Sequence, residues 1–136
     1  MKICGIEIAG SEIRLVILDG EKCNFSLINV EPRKITLSDD TNQNEVKAFK
    51  ETVFAYMREN GVQHIAIKQR NKKGGFSGGA VGFKIEGLIQ LYNDCEVSLI
   101  SPVGISACKK KYEISPPSEL AKYQGEAFET AFKALP

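Results

Sequence analysis

The chain has 136 residues, 43% hydrophobic and 26% charged, with a formal net charge of +1. That is the size of one domain rather than two, and a near-neutral total singles out no class of charged partner. No apolar run approaches the ~18 residues of a membrane span, and Met1-Lys2-Ile3-Cys4-Gly5 enters a strand pattern without a signal peptide's apolar stretch, so a cytosolic location is expected.

Ile3, Cys4, Ile6 and Ile8 make residues 2–9 almost continuously apolar, as in a strand covered on both faces. Ala9-Gly10-Ser11-Glu12 is turn material. A second strand is predicted over 13–18, ended by a hairpin turn at Asp19-Gly20, and a third over 23–30. Glu31-Pro32 stops it, and residues 36–44 read as a polar linker. A helix over 44–60 carries the stripe Val46, Phe49, Val53, Tyr56 and Met57, with Asn60-Gly61 as its stop. Residues 64–67 form a short buried strand that leads into a loop of lysines and glycines over 72–79.

A second helix over 80–92 presents Val81, Ile85, Leu88, Ile89 and Tyr92 on one face. A fifth strand over 96–100 is closed by Ser101-Pro102, and a short helix spans 104–111. After the breaker Ser115-Pro116-Pro117-Ser118, a last helix capped near Ser118 buries Leu120, Tyr123, Ala127, Phe128, Ala131 and Leu135. This order implies one α/β domain over 1–136: a mixed five-stranded sheet, three antiparallel strands then two parallel, with helices on both faces.

Several residues do not suit a plain core. Glu7 interrupts an apolar strand expected at the sheet centre, where an unpaired carboxylate costs several kcal/mol. It is either a site residue or a side chain hydrated at the strand's open end. Lys68 ends the strand at the sheet's carboxyl edge, where ligands of open α/β sheets sit, although a solvated lysine is the ordinary reading. Glu126 and Glu129 are spaced i, i+3 on one helical face, and Lys122–Glu126 and Glu129–Lys133 have the spacing of ordinary ion pairs. Two basic clusters stand out: Lys68, Arg70, Lys72 and Lys73, then Lys109, Lys110 and Lys111. Both follow parallel strands, so they are expected on one rim able to follow a phosphate backbone, with the glycine-rich loop at 74–79 allowing close approach. Cys4, Cys23, Cys95 and Cys108 contain no Cys-x-x-Cys pair, and with one histidine no zinc site is expected. All four are read as reduced. Cys4, Cys23 and Cys95 are read as buried, and Cys108 alone lies near a helix start.

Gly5-Ile6-Glu7-Ile8-Ala9-Gly10-Ser11, followed by an apolar strand, resembles the Gly-Ile-Asp-x-Gly-Ser opening of RuvC-type Holliday-junction resolvases, of the ribonuclease-H-like superfamily. Ala66-Ile67-Lys68-Gln69 resembles that family's Ile-Glu-Gln strand end. Residues 78–91, 97–102 and 109–111 follow its order of helix, strand and basic helix, and Glu126-Ala127-Phe128-Glu129 falls where it has an acidic C-terminal helix. The resemblance implies a ribonuclease-H-like fold, with Glu7, Glu126 and Glu129 as catalytic and metal-ligating carboxylates for Mg²⁺ or Mn²⁺. It also implies DNA or RNA as partner, contacted by Lys68, Arg70, Lys72, Lys73, Lys109, Lys110 and Lys111.

The departures bear on mechanism. Position 7 is glutamate where the family has aspartate, and position 68 is lysine where it has a ligating glutamate. A cation at 68 stands where a metal would bind, and it is expected to pair with Glu7. The leading expectation is therefore a RuvC-like, nucleic-acid-associated domain with weak or absent metal-dependent phosphodiester cleavage. A non-catalytic protein-interaction module on the same fold is the alternative. An actin-like phosphate-binding domain is the third reading, disfavoured because those folds close two such domains over a nucleotide. Oligomeric state stays open, a homodimer included.

Overall fold

The computed structural model describes residues 1–70 and 79–136. Its elements in chain order are β1 (Lys2–Ala9), β2 (Glu12–Glu21), β3 (Asn24–Ile28), β4 (Lys34–Thr36), α1 (Gln43–Glu59), β5 (His64–Lys68), α2 (Gly79–Gln90), β6 (Glu96–Ile100), α3 (Pro102–Tyr112) and α4 (Gly125–Ala134). The sheet runs β3-β2-β1-β5-β6, with the short β4 paired to β2 beside that path. β1, β2 and β3 are antiparallel, while β5 and β6 continue from β1 in parallel. The mixed sheet is thus the expected one of five strands, enlarged by a strand of three residues.

β4 lies partly in the segment read as a polar linker. Ile35 and Leu37 are the reason: both are buried, and Ile35 stands opposite Ile13. The β2–β3 turn is also displaced. Asp19-Gly20 remains inside β2, whose strand pairing continues to Glu21 opposite Asn24, so the chain reverses at Lys22-Cys23. Gly20 tolerates this position because its φ of +127° lies where side-chain-bearing residues are strained.

Alternation along β1 divides the apolar residues between two layers. Cys4, Ile6 and Ile8 enter a core with Phe49, Val53 and Met57 of α1 and Ile85 and Ile89 of α2. Ile3 enters the other layer with Val16, Leu18, Ala66 and, from α4, Ala127, Phe128, Ala131 and Phe132. Asn42 starts α1 by accepting hydrogen bonds from the backbone amides of Asn44 and Glu45. Ser101 likewise caps α3, with Pro102 in its first turn. The last helix is shorter than expected: Lys122–Gln124 is a 3-10 turn and α4 begins at Gly125. Among the described residues no helix is long and apolar enough to cross a membrane.

Candidate functional site

Two close approaches put the charged residues together. α4 crosses β1 at Gly5, where a Cβ would fall 2.6 Å from Ala131 Cβ and overlap the Ala127 carbonyl. Gln124, itself buried, donates through Nε2 to the Leu15 carbonyl at 2.9 Å and accepts from the Ala121 amide at 2.8 Å. These contacts hold the start of α4 over the carboxyl end of β1, so Glu126 in its first turn faces Glu7.

Beneath α4, one row crosses the sheet. Glu7 is the cross-strand partner of Arg14, and Arg14 that of Lys34. The parallel register pairing Ile6 with Ile67 brings Lys68 beside Glu7 on the same face. Arg14 Nη1 lies 3.4 Å from Glu7 Oε1, and Arg14 Nε donates to Glu12 at 3.0 Å. Lys68 Nζ donates to Glu126 Oε1. The direct pair expected between Glu7 and Lys68 is therefore replaced. The lysine reaches up to the helix, and the nearer arginine takes Glu7.

Glu7 and Glu126 also act on each other. Burial pushes the Glu7 carboxyl up to about 7, and the hydrogen bond and charge of Glu126 add to this, while Arg14 and Lys68 oppose it. The hydrogen bonds from Glu7 and Lys68 hold Glu126 below the usual carboxylate range. The two carboxyls are thus pushed in opposite directions, Glu7 up and Glu126 down.

The other expected site residues separate into groups. Glu129 pairs with Lys109 of α3 at 3.1 Å, not with Lys133. Glu126 pairs with Lys68, not with Lys122. Arg70 donates through Nη1 to the Ile8 carbonyl at 2.9 Å, and its guanidinium lies over Phe83, 5.4 Å from the ring centroid. Lys72 and Lys73, with the glycine-rich loop at 74–79 up to Gly78, lie outside the described residues. Lys110 is exposed, and Lys111 lies over Tyr112, whose ring packs 5.5 Å from that of Phe132.

Of the rim expected for the two clusters, the described members meet α4 at successive levels. Lys68 meets the first turn of α4, Lys109 its middle and Tyr112 its last turn, because α3 leaves the edge of the sheet at Ser101 and runs on to the far end of α4. Cys108 is buried in the α4 layer, and Cys23, expected inside, is exposed in the β2–β3 turn.

Arg14 was not among the expected site residues, yet the sequence carries a signal for it. A two-residue turn at Gly10-Ser11 sets Ala9 opposite Glu12, and counting back places Arg14 against Glu7. Lys34 has no comparable signal, since β4 is too short to read from periodicity, and Tyr123, expected buried on the last helix, is half-buried in the 3-10 turn before it.

Mg²⁺ or Mn²⁺ requires several oxygen ligands free to coordinate, and two-ion cleavage requires a carboxylate cluster. Here Arg14 stands beside Glu7, Lys68 occupies Glu126, and Lys109 occupies Glu129. Among the described residues no three His, Cys, Asp or Glu side chains gather as a metal set. The side chains do not fit a resident divalent ion.

This sheet order, with α4 over β1, is the RuvC-like, ribonuclease-H-like fold. Thermus thermophilus RuvC is similar with a TM-score of 0.74 at 10% identity, covering 98% of this chain and 92% of that one. The structure described as T. thermophilus RuvC in complex with Holliday junction substrate gives 0.69 at 13% identity, over 98% and 92%. The Fowlpox virus resolvase, in complex with substrate Holliday junction DNA, gives 0.56 at 17% identity, over 96% and 94%. The chain belongs to the family described as "Protein of unknown function (DUF3010)", whose model matches residues 1–134. No curated protein matches the chain by sequence.

Proposed function

We propose that the chain is a RuvC-like nucleic-acid-binding domain in which metal-dependent phosphodiester cleavage is weak or absent. The observation that carries this reading is the closed charge set around β1: Glu7 against Arg14 and Glu126 against Lys68. A cation on each carboxylate lowers the field that would draw a divalent ion. The same cations leave the edge able to face phosphate. Glu7, Glu126 and Glu129 act here as partners that position Arg14, Lys68 and Lys109, and nucleic acid meets Lys68, Lys72, Lys73, Lys110 and Lys111. The likeness to proteins solved with Holliday junction DNA supports DNA as the ligand.

Two measurements test it together. A four-way junction and a single strand are titrated at rising salt, and the same substrates are incubated with Mg²⁺ and Mn²⁺. Expected are binding that weakens with salt and no turnover abolished by Glu7→Gln. Lys72→Glu with Lys110→Glu should flatten the salt slope by about two, one for each phosphate contact. No binding at low salt discards this reading in favour of the protein-interaction module. Robust Glu7-dependent cleavage discards its catalytic half.

A further inference from the structure

We propose that Tyr123 and Lys34 form a docking point for an unpaired DNA strand, with the ring stacking one base and the ammonium meeting the adjoining phosphate. This rests on the nucleic-acid reading above and adds to it residues, a strand state and a mode of contact.

The point lies at one end of the charged row. Lys34, Arg14, Glu7 and Lys68 stand side by side across β4, β2, β1 and β5. Neighbouring strands lie about 4.8 Å apart, so the row spans roughly 14 Å. Tyr123 stands over its β4 end, in the 3-10 turn that Gln124 pins to Leu15. Arg14 lies 5.7 Å and Lys34 Nζ 5.2 Å from the Tyr123 ring centroid.

The two cations differ in commitment. Arg14 is bound to Glu7 and Glu12. Lys34 is exposed, and among the described residues no carboxylate lies within ion-pair distance of it. Its contact is the ring. An exposed cation–π pair is weaker than a nucleobase stacked on an aromatic face. A base reaching Tyr123 therefore displaces the ammonium, which stays beside the base's own phosphate. Bases inside a duplex are already stacked, so the exchange selects an unpaired strand.

The experiment uses the full chain and a single-stranded DNA carrying 2-aminopurine, with duplex DNA and single-stranded RNA of the same sequence alongside. Expected are fluorescence quenching on binding, preference for single-stranded over duplex DNA, and retention of both in Tyr123→Phe. Tyr123→Leu should lose the quenching and about tenfold in affinity. Lys34→Ala, a change at an exposed side chain, should lower the salt slope by about 0.7. If the wild type binds DNA while Tyr123→Leu keeps its quenching or Lys34→Ala keeps its slope, the docking point is overturned and the general reading stands. Tighter binding to the RNA overturns the assignment to DNA. If the wild type binds none of the three, the general reading itself has failed.

Discussion

The two faces of β1 obey different rules. Cys4, Ile6 and Ile8 point into the layer under α1 and α2, which is lined by apolar residues along the whole strand. Ile3, Gly5 and Glu7 point the other way, and that face changes from closed core to charged site within about two residue repeats of the strand, roughly 14 Å. The difference lies in the covering helix. α4 crosses at Gly5 and begins at Gly125, so Glu7 falls beyond the tightest packing but under the first turn, with 14% of its side chain exposed. A strand can carry a carboxylate at the sheet centre where the helix above it starts, because partners enter from three sides: Arg14 along the sheet, Lys68 on the other flank, and Glu126 from above.

The charged face of β1 depends most on the α4 layer that covers it. Phe128 is fully buried and packs on Phe25 and Phe132, with centroids 6.2 and 6.4 Å away. Phe128→Ala should cost about 3–5 kcal/mol, seen as a lower urea midpoint, and should release Glu126 with the helix. Gly5→Ala comes next. Its methyl meets helix backbone that cannot rotate away, so about 1–3 kcal/mol of overpacking is expected by the same measurement. A Gly5→Ala protein as stable as the parent would mean that α4 does not sit where the site requires it.

What is legible in the sequence follows the same division. The α1–α2 layer is readable because alternation in strands and 3.6-residue spacing in helices act locally: Phe49, Val53, Tyr56, Met57, Ile85 and Ile89 are each buried as their spacing implies. The strand path is readable for the same reason. Glu7 and Lys68 are legible as residues out of place, but not as partners. Lys68 pairs across 58 positions with Glu126, and that choice depends on where Gly5 lets α4 descend. Helical spacing instead suggested Lys122 and Lys133 as the carboxylates' partners. Such exposed i, i+4 pairs contribute only about 0.3–0.5 kcal/mol, so a better-placed tertiary partner readily replaces them. Residue order says that α3 leaves the sheet edge, not where its far end arrives, so the contacts of Lys109 with Glu129 and of Tyr112 with Phe132 are not legible.

A smaller effect separates the two carboxyls. Glu7 titrates at about 7 in the folded chain against an ordinary value of 4.5. Between those values the folded state holds a proton that the unfolded chain has released, so Glu7's contribution to stability is full below pH 4.5 and is lost as pH rises through 7. Glu126 acts in the opposite sense, its contribution present above the ordinary carboxylate range and lost as pH falls through its lowered value. Glu7→Gln keeps a donor against Glu126 and removes the titration. Thermal melts from pH 4.5 to 7.5 should therefore show a decline in the parent that is flattened in the variant. A parallel decline in both would place the responsible group elsewhere.

The smallest expected change in stability, and the most direct test of why the site carries no metal set, is at Lys68. Its pair with Glu126 is partly exposed at both ends, 27% and 49%, so breaking it costs no more than about 1 kcal/mol. Its effect on ions should be larger than its effect on folding. With lysine at 68, Mn²⁺ meets an occupied Glu126 and, below pH 7, a protonated Glu7, and the parent's melting temperature should not respond to it. Lys68→Glu removes the competing cation and sets a third carboxylate beside the other two, which like-charge repulsion alone would make unfavourable. A bound ion relieves that repulsion, and its stabilisation grows with the logarithm of its concentration above Kd. The variant should therefore melt slightly below the parent without metal and rise with millimolar Mn²⁺, more so at pH 7.5 than at pH 6, where Glu7 keeps its proton. A parent that responds as strongly would show that Lys68 yields its place to a cation, and that the α4 face of β1 holds a metal site despite its ion pairs.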